Sequence, residues 1–130
     1  MKVLGYSVRR YEMPIKRYCQ MLDLHDDPKL IAEYRRLHSE RESWNEILDG
    51  IRSVGILEME IYNKDNRLFM IVETVQDFDW DSAMKKLATL PRQAEWEAKV
   101  SLYQKCRQGA SSGEKWQLME RIFRLYIKKI

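Results

Sequence analysis

The stretch that decides the fold is ILEMEIYNKDNRLFMIVE, residues 56–73. Its first part, 56–62, alternates apolar residues with Glu58 and Glu60, a pattern typical of a β-strand with one buried face. Its last part, 67–73, is apolar almost throughout and is typical of a central strand buried on both faces. The NKDN between them consists of turn-forming residues. We therefore predict an antiparallel hairpin with strands at 56–62 and 67–73.

A helix is predicted immediately before this hairpin. Ser43 followed three residues later by Glu46 has the spacing of a capping box, in which each side chain satisfies a backbone amide at the start of a helix. Apolar residues then recur at helical spacing, and Gly55 is a typical C-terminal stop. The pattern predicts a helix that begins after Ser43 and ends before Gly55.

The chain before that helix supplies another strand and another helix. KRYCQMLDL, residues 16–24, mixes aromatic, apolar and polar residues in a short run that can form a strand. Asp27 can cap the next helix, with Pro28 in its first turn, where the missing amide proton does no harm. This helix is predicted from Pro28 to about Ser39.

The chain after the hairpin is predicted to be helical at first. Either Asp77 or Asp79 can cap one helix. Pro91 can open a second helix, which carries Trp96 on its apolar side. Both helices are therefore expected to lie between the hairpin and the last quarter of the chain.

Two segments near the end of the chain are harder to predict. QGASSGE, within residues 107–115, is flexible by composition. The apolar residues at 118–125 fit a helical stripe about as well as a strand, so their spacing does not decide between the two.

The order of elements indicates an α+β fold. Strand, helices, strand, strand and helices, followed by a final strand if 118–125 is one, give the split βαβ arrangement of ferredoxin-like domains, an antiparallel sheet with its helices on one face. Residues 15–130 then form a single domain after an N-terminal extension at 1–14. The other face of the sheet needs a cover, because the strand at 67–73 is apolar on both sides. A second copy of the chain is the economical cover, which predicts a homodimer with its sheets packed together, a dimeric α/β barrel.

Composition argues against several classes of function. The chain has 130 residues, and its 23 Lys and Arg are interspersed with 20 Asp and Glu, so no basic stripe of the kind that binds nucleic acid is present. No apolar run reaches the ~18 residues that a membrane span requires, and residues 1–14 lack the apolar core of a secretory signal. Cys19 and Cys106 have no spacing typical of a zinc site or a disulfide framework. We expect a soluble protein of the reducing cytoplasm, without a nucleic-acid or membrane partner.

Tyr34 and His38 are the residues best suited to chemistry. They lie four apart on the first predicted helix, so both side chains project from the same face. The apolar spacing turns that face toward the interior and leaves His38 at its edge. An imidazole beside a phenol, half out of water, can move protons near neutral pH. The alternative is a structural histidine that is hydrogen-bonded at the helix end, and spacing alone favours this alternative.

Other chemistries have little support in the sequence. His25 and His38 are the only histidines, and no metal-binding motif contains them, so metal catalysis is weakly supported. Neither a phosphate-binding glycine loop nor a nucleophile elbow is present in the sequence. The remaining residues suit a sugar, because the aromatic faces of Tyr34, Trp44 and Trp96 can stack on a pyranose ring. Each tryptophan, taken singly, fits core or edge packing better.

Five motifs together carry a family resemblance. In chain order they are EYRRLHSERESWNEI (33–47), GILEMEIY (55–62), NRLFMIVET (66–74), QAEWEAK (93–99) and EKWQLMERIF (114–123). This series resembles the L-rhamnose mutarotase family, in particular a branch also associated with L-fucose, and it covers nearly everything from residue 16 to residue 125. The resemblance implies a ferredoxin-like fold, a dimer, and a strand at 116–125.

The resemblance also implies an activity and a set of site residues. The activity is interconversion of the α and β pyranose anomers of a 6-deoxy-L-hexose, with no metal and no organic cofactor. His38 looks like the family's catalytic proton donor, and Tyr34 looks like its substrate-contacting tyrosine. Trp96 matches one member of a tryptophan pair, whose other position is Glu95 here. Trp44 is expected to hold the sugar together with Trp96.

Departures from the family pattern leave the substrate open. Met59 stands where the family has a second tyrosine, and the spacing from His38 to Trp44 is longer than in the founding rhamnose enzymes. Losing a phenol removes a donor to a sugar hydroxyl, and hydrogen-bonding sites discriminate strongly through such groups. L-Fucose is therefore a rival to L-rhamnose. The catalytic base is also open, because water, Tyr34 or a glutamate of the hairpin would serve.

Two other functions fit the same residues. One is a non-catalytic dimeric module that binds a sugar or another small molecule and does not accelerate anomer exchange. The other is a cofactor-independent oxygenase, because small ferredoxin-like dimers also host that chemistry, which is an analogy at the level of the fold alone.

Overall fold

The structure, a computed structural model, describes residues 3–126. In that range one antiparallel sheet has the strand order β2-β3-β1-β4. Its strands are β1 (Ile15–Asp23), β2 (Ile56–Lys64), β3 (Arg67–Val75) and β4 (Gln117–Leu118). The helices are α1 (Pro28–Leu37), α2 (Asn45–Ser53), α3 (Trp80–Leu87), α4 (Gln93–Ser101) and α5 (Ser112–Lys115). The predicted α+β class is confirmed, while the first two residues of the predicted extension and the last four of the predicted domain lie outside the described range.

The predicted hairpin is confirmed and is longer than the apolar pattern suggested. β2 and β3 pair down to Lys64 opposite Arg67, so the connection consists of two residues only. The first of them, Asp65, has a φ of 52°, as the tight turns of hairpins require. The side-chain amide of Asn63 donates to the carbonyls of Asp65 and Arg67 at 3.0 and 3.1 Å, which makes this polar residue part of the strand end.

The core lies between the helices and one face of the sheet, which we call the covered face. Leu68, Met70 and Val72 of β3 point to this face and are almost fully buried, next to Leu22 of β1. They share one hydrophobic cluster with Tyr34, on α1. The other face of the sheet, the open face, carries the alternate residues of the same strands, which are mostly only partly buried.

The predicted helix starts are confirmed in two cases. Asp27 caps α1, where its carboxylate accepts from the Lys29 amide at 2.8 Å. Asp79, rather than Asp77, caps α3 by accepting from the Ser82 amide. α4 begins two residues after Pro91, at Gln93, because the residue between them has a left-handed backbone.

The predicted capping box at Ser43 and Glu46 is wrong. The N-cap of α2 is Trp44, which makes no side-chain capping bond. The Ser43 hydroxyl instead donates to the Ser39 carbonyl at 2.7 Å, four residues back. Glu46 faces the guanidinium of Arg92, so a local bond occupies Ser43 and a tertiary contact occupies Glu46. The predicted stop at Gly55 is confirmed, with a φ of 102° just after the helix.

Composition misled the prediction for residues 107–115. The segment contains α5, and a capping box between Ser111 and Glu114 holds the start of that helix. Lys115 at its end is buried and paired with Glu97 on α4 at 2.8 Å. A short cap and one buried ion pair thus order a segment that small polar residues suggested would be flexible.

The strand implied at 116–125 is wrong in its extent. β4 pairs with β1 only where Gln117 and Leu118 lie opposite Met21 and Gln20. One further backbone bond joins the Met119 amide to a carbonyl of β1. Beyond it the chain is irregular and exposed to residue 126. Within residues 3–126, no helix is long and apolar enough to cross a membrane.

Candidate active site

The C-terminal end of α1 brings Tyr34 and His38 into ring contact. His38 is the C-cap residue of this helix, and its ring centroid lies 4.3 Å from that of Tyr34. Tyr34 is only 3% exposed, whereas His38 is half-buried at the edge of the same face. The structure therefore brings together the two residues that the helical spacing selected.

The hydrogen bond of His38 fixes which nitrogen carries its proton. Nδ1 lies 2.8 Å from the backbone carbonyl oxygen of Tyr34. A carbonyl only accepts, so Nδ1 is the donor, and Nε2 of the neutral ring keeps its lone pair. Burial lowers the pKa of His38 below its usual value, against a smaller opposing effect of the bond to Tyr34. The neutral ring, with Nε2 as an acceptor, is therefore the main form at neutral pH.

The Tyr34 hydroxyl lies in a buried polar contact that no sequence motif predicts. The side-chain amide of Gln104 donates to it at 3.3 Å, across 70 positions of the chain. Gln104 is itself buried, and its Oε1 has no partner among the described residues. Burial raises the pKa of the Tyr34 phenol, so it stays protonated across the physiological range. No local pattern could have found Gln104, because only tertiary folding brings it to α1.

Trp96 and Trp44 extend the ring contact into a row. Trp96, on α4, meets His38 edge to face at a centroid distance of 5.3 Å. Trp44, at the start of α2, meets Trp96 in the same way at 5.1 Å. Tyr34, His38, Trp96 and Trp44 thus form one continuous set of rings from three helices, which we call the aromatic row. All four predicted site residues belong to it.

Arg92 closes the Trp44 end of the aromatic row. Its guanidinium carbon lies 4.1 Å from the centroid of the Trp44 ring, a cation–π arrangement. Its nitrogens also contact the carboxylates of Glu95 and Glu46. The backbone of Arg92 is left-handed, with a φ of 63°, and for a residue other than glycine such a conformation costs about 1–3 kcal/mol. No motif in the sequence points to this arginine as a site residue.

The hairpin glutamates do not contact His38, although Glu60 lines a cavity that Tyr34 also lines. Glu58 is paired with Glu73 across the two strands, and both point to the open face with Glu60. Glu73 binds Arg17 at 2.8 Å and accepts a bond from Tyr11. The sheet thus lies between these carboxylates and His38, which is on the covered side. In the described part of the chain, no three His, Cys, Asp or Glu side chains are grouped so that they could hold a metal ion.

A cavity of about 440 Å³ opens at one end of the aromatic row. Its walls come from α1, β2, β3 and the segment before β1, and they include Tyr34, Glu60 and Tyr6. The other three members of the row do not line it. The buried end of the row therefore borders a cavity, while its other end lies among partly exposed side chains.

Comparisons with known proteins agree with one another. The model of the family described as L-rhamnose mutarotase matches residues 17–125. An L-fucose mutarotase from Xanthomonas campestris pv. campestris is 40% identical over 113 residues, which are 87% of this chain and 90% of that protein. A UPF0734 protein of Dictyostelium discoideum is 34% identical, over 85% of this chain and 90% of its own length. The crystal structure of an L-rhamnose mutarotase from Formosa agariphila matches with a TM-score of 0.65 at 18% identity, over 85% of this chain and 99% of that one.

A half-buried histidine with one free ring nitrogen, in a row of aromatic rings beside a small antiparallel sheet, defines an α+β domain suited to acid–base chemistry on a small molecule. The chain belongs to the L-rhamnose mutarotase family, whose members are sugar isomerases. The family resemblance and the class of reaction predicted from it, anomer interconversion of a 6-deoxy sugar, are thereby confirmed. The match to the solved structure confirms the fold.

Proposed function

We propose that this chain interconverts the α and β pyranose anomers of L-fucose and that His38 moves the proton. The observation that supports His38 is its bond to the Tyr34 carbonyl, which occupies Nδ1 and leaves Nε2 for a substrate. The sugar is supported by the 40% identity to an L-fucose mutarotase over 87% of the chain. L-Rhamnose, the sugar in the name of the matching family model, is the alternative substrate.

The proposed mechanism uses the two oxygens of the anomeric carbon. Ring opening moves a proton from the anomeric hydroxyl to the ring oxygen, while the bond from carbon to ring oxygen breaks and a carbonyl forms. Because both oxygens are attached to one carbon, a single nitrogen can serve both. Neutral His38 takes the hydroxyl proton at Nε2 and delivers it to the ring oxygen as the ring opens. Rotation of the aldehyde and the reverse transfer then close the ring on its other face.

Tyr34 holds this histidine in position in the proposed mechanism. Its carbonyl fixes the Nδ1 side of the imidazole, and its ring lies against the imidazole ring. Its phenol has a raised pKa, so the phenol can form hydrogen bonds but is a poor base. The hairpin glutamates are poorer candidates still, because they lie on the open face, and Glu60, which lines the cavity beside Tyr34, forms no hydrogen bond with His38. We therefore assign the base role, left open by the sequence, to His38.

Trp96 and Trp44 are proposed to bind the pyranose ring. Both side chains are only partly buried, so part of each indole is accessible to a ligand. A 6-deoxy sugar carries a methyl group in place of a hydroxymethyl group, and an apolar edge of this kind suits an aromatic wall. The sugar would then lie with its anomeric carbon at His38 and its ring against Trp96.

Saturation transfer between the two anomeric proton resonances tests the proposal. Exchange is measured for L-fucose, L-rhamnose and their D-counterparts with the wild-type chain and with His38→Ala. We expect the largest acceleration with L-fucose and its loss in the variant. Equal exchange with both proteins would refute the assignment of His38. Binding of the sugar in calorimetry without faster exchange would favour the ligand-binding module instead.

We also propose that a second copy of the chain covers the open face. Met21, Phe69 and Ile71 on this face are apolar and only partly buried. Beyond β4, Ile122 and Phe123 are 94% and 74% exposed. Apolar surface of this extent is a usual basis for association. Sedimentation analysis at micromolar concentration should give a dimer mass, and a monomer mass would contradict the proposal.

A reducing, cytoplasmic location is proposed on the basis of the cysteines. Cys19 and Cys106 are both free in the structure, and Cys19 is on the open face. Free thiols are typical of compartments that keep them reduced. Cell fractionation with an antibody against the chain tests this location, and recovery in a secreted fraction would contradict it.

A further inference from the structure

We infer that Arg92 is a positioning residue of the sugar site, whose guanidinium holds the Trp44 ring in place within the aromatic row. The inference rests on the proposed function, since it gives Trp44 a part in sugar binding. It concerns a residue whose side chain the proposed proton transfer does not use. Three independent observations support it: the backbone of Arg92, the contacts of its guanidinium, and the place of Trp44 in the row.

The backbone of Arg92 has a conformation that its side chain does not favour. Its φ of 63° lies in the left-handed region, where glycine is the usual residue. Residues held there against their preference cluster at functional sites, because the surrounding contacts must enforce the conformation. The conformation places Arg92 at the N-cap of α4 without any capping bond from its side chain. Capping therefore does not account for an arginine here, whereas the tertiary contacts of its side chain do.

Those contacts orient the guanidinium from two helices. Nε and Nη2 donate to the two carboxylate oxygens of Glu95 at 3.1 and 2.9 Å, a two-pronged arrangement that fixes the plane of the group. Nη1 contacts both oxygens of Glu46 at 3.4 and 3.5 Å. Glu95 lies on α4 and Glu46 in the first turn of α2. Arg92 thus joins the helix that follows Trp44 to the helix that carries Trp96.

Trp44 depends on these contacts for its position. It is the N-cap of α2, has no side-chain capping bond and is only partly buried. One neighbour of its ring is Trp96, at 5.1 Å, and another is the guanidinium of Arg92, at 4.1 Å. Without the guanidinium, the ring keeps the edge contact with Trp96 but loses the cation that lies over it. We expect sugar binding to weaken, while proton transfer at His38, two rings away, continues.

The kinetic test uses substitutions matched to the backbone. Arg92→Gly removes the guanidinium and suits the left-handed conformation, so the variant should fold. We expect it to raise KM for L-fucose by about fivefold to tenfold, the range of one exposed cation–π contact and its ion pairs, with kcat changed by less than about twofold. Arg92→Lys keeps the charge but not the two-pronged bond, so its KM should lie between the KM of wild type and that of Arg92→Gly. The control is Asp65→Gly. Within residues 3–126, Asp65 and Arg92 are the two residues other than glycine with a left-handed backbone, and the KM and kcat of Asp65→Gly should match those of wild type.

A second readout separates this inference from the proposed function. The indole N–H resonance of Trp44, assigned by comparison with Trp44→Phe, should shift in Arg92→Gly and not in Asp65→Gly, whether or not sugar is present. If wild type does not accelerate anomer exchange, the proposed function fails, while this shift still reports on the contact. Wild-type KM in Arg92→Gly overturns the inference. The inference is also overturned if Arg92→Gly loses kcat in proportion to a lowered melting temperature, because Arg92 would then contribute only to the stability of the fold.

Discussion

Ionisable groups on the covered and open sides of the sheet differ in whether they are paired with an opposite charge. On the open face, Glu73 is held by Arg17 at 2.8 Å and by the hydroxyl of Tyr11 at 3.2 Å. On the covered side, His38 forms no ion pair with any described residue and is surrounded by aromatic rings. A paired carboxylate is committed to its partner, whereas a half-buried imidazole with one free nitrogen can give and take a proton. Glu73 is therefore a weak candidate for catalysis although it is a buried carboxylate.

Replacing one group from each face gives the largest expected contrast. His38→Ala should slow enzyme-dependent anomer exchange by ~10²–10⁴-fold, because a positioned acid–base group contributes about that much. Glu58→Gln changes a side chain of the open face that does not line the cavity beside Tyr34, and it should leave exchange close to wild type. Saturation-transfer NMR with L-fucose measures both. Comparable losses in the two variants would mean that the open face takes part in the reaction.

Ion pairs on the two sides should differ in a similar way in their contribution to stability. The Lys115 side chain is fully buried, and its Nζ donates to a carboxylate oxygen and the carbonyl of Glu97. Removing one member of a buried ion pair leaves the other charge buried and unpaired. Lys115→Ala should therefore lower the free energy of unfolding by about 3–5 kcal/mol. Arg67→Ala breaks the largely exposed pair with Asp23 and should cost less than about 1 kcal/mol.

Urea unfolding of these variants measures the difference, and a double variant sharpens it. Lys115→Met with Glu97→Leu removes both charges and should recover most of the loss, because two apolar side chains leave no buried charge unpaired. If Lys115→Ala unfolds no more easily than Arg67→Ala, burial does not distinguish the two pairs. If the double variant is no more stable than the single one, the loss comes from packing and not from charge.

Local patterns predicted the elements whose determinants lie close together in the chain. Alternation and a short turn were enough for the hairpin of β2 and β3, and Asp27 and Asp79 cap helices a few residues away. The same locality brought Tyr34 and His38 together, because a four-residue spacing on a helix already implies contact. Trp44 and Trp96 were predicted as aromatic faces for a sugar, and the resemblance matched Trp96 to a family position, but no local rule joins either of them to His38.

Patterns failed where a distant residue determines the structure. Glu46 contacts Arg92, 46 positions away, so the capping box that its spacing suggested does not form. Lys115 is ordered by Glu97 on another helix, and composition alone could not show this. Gln104 and Arg92 at the site were missed for the same reason, since neither belongs to a local motif. The spacing of the apolar residues at 118–125 left helix and strand open; the resemblance implied a strand, but β4 pairs with β1 over two residues only.

The pH dependence of exchange tests the protonation state of His38. Burial lowers its pKa below 6.5, so the rate carried by the neutral ring should be constant above pH 6.5 and fall as the pH drops through the lowered pKa. Well below that pKa the loss should approach about tenfold per pH unit. The free energy of unfolding should fall over the same range, because the unfolded chain binds the proton more tightly. A rate that rises on acidification would identify the imidazolium as the working form.

A much smaller effect on exchange than that of His38→Ala is expected at the other ring of the α1 pair. Tyr34→Phe removes the hydroxyl that accepts from Gln104, and a buried amide left unpaired costs about 1–3 kcal/mol of stability. The backbone carbonyl of residue 34 still binds Nδ1 of His38, and the ring contact remains. Exchange should therefore slow by less than about tenfold, in contrast to His38→Ala. A loss as large as that of His38→Ala would show that the phenol takes part in proton transfer and that the covered side carries two proton-moving groups.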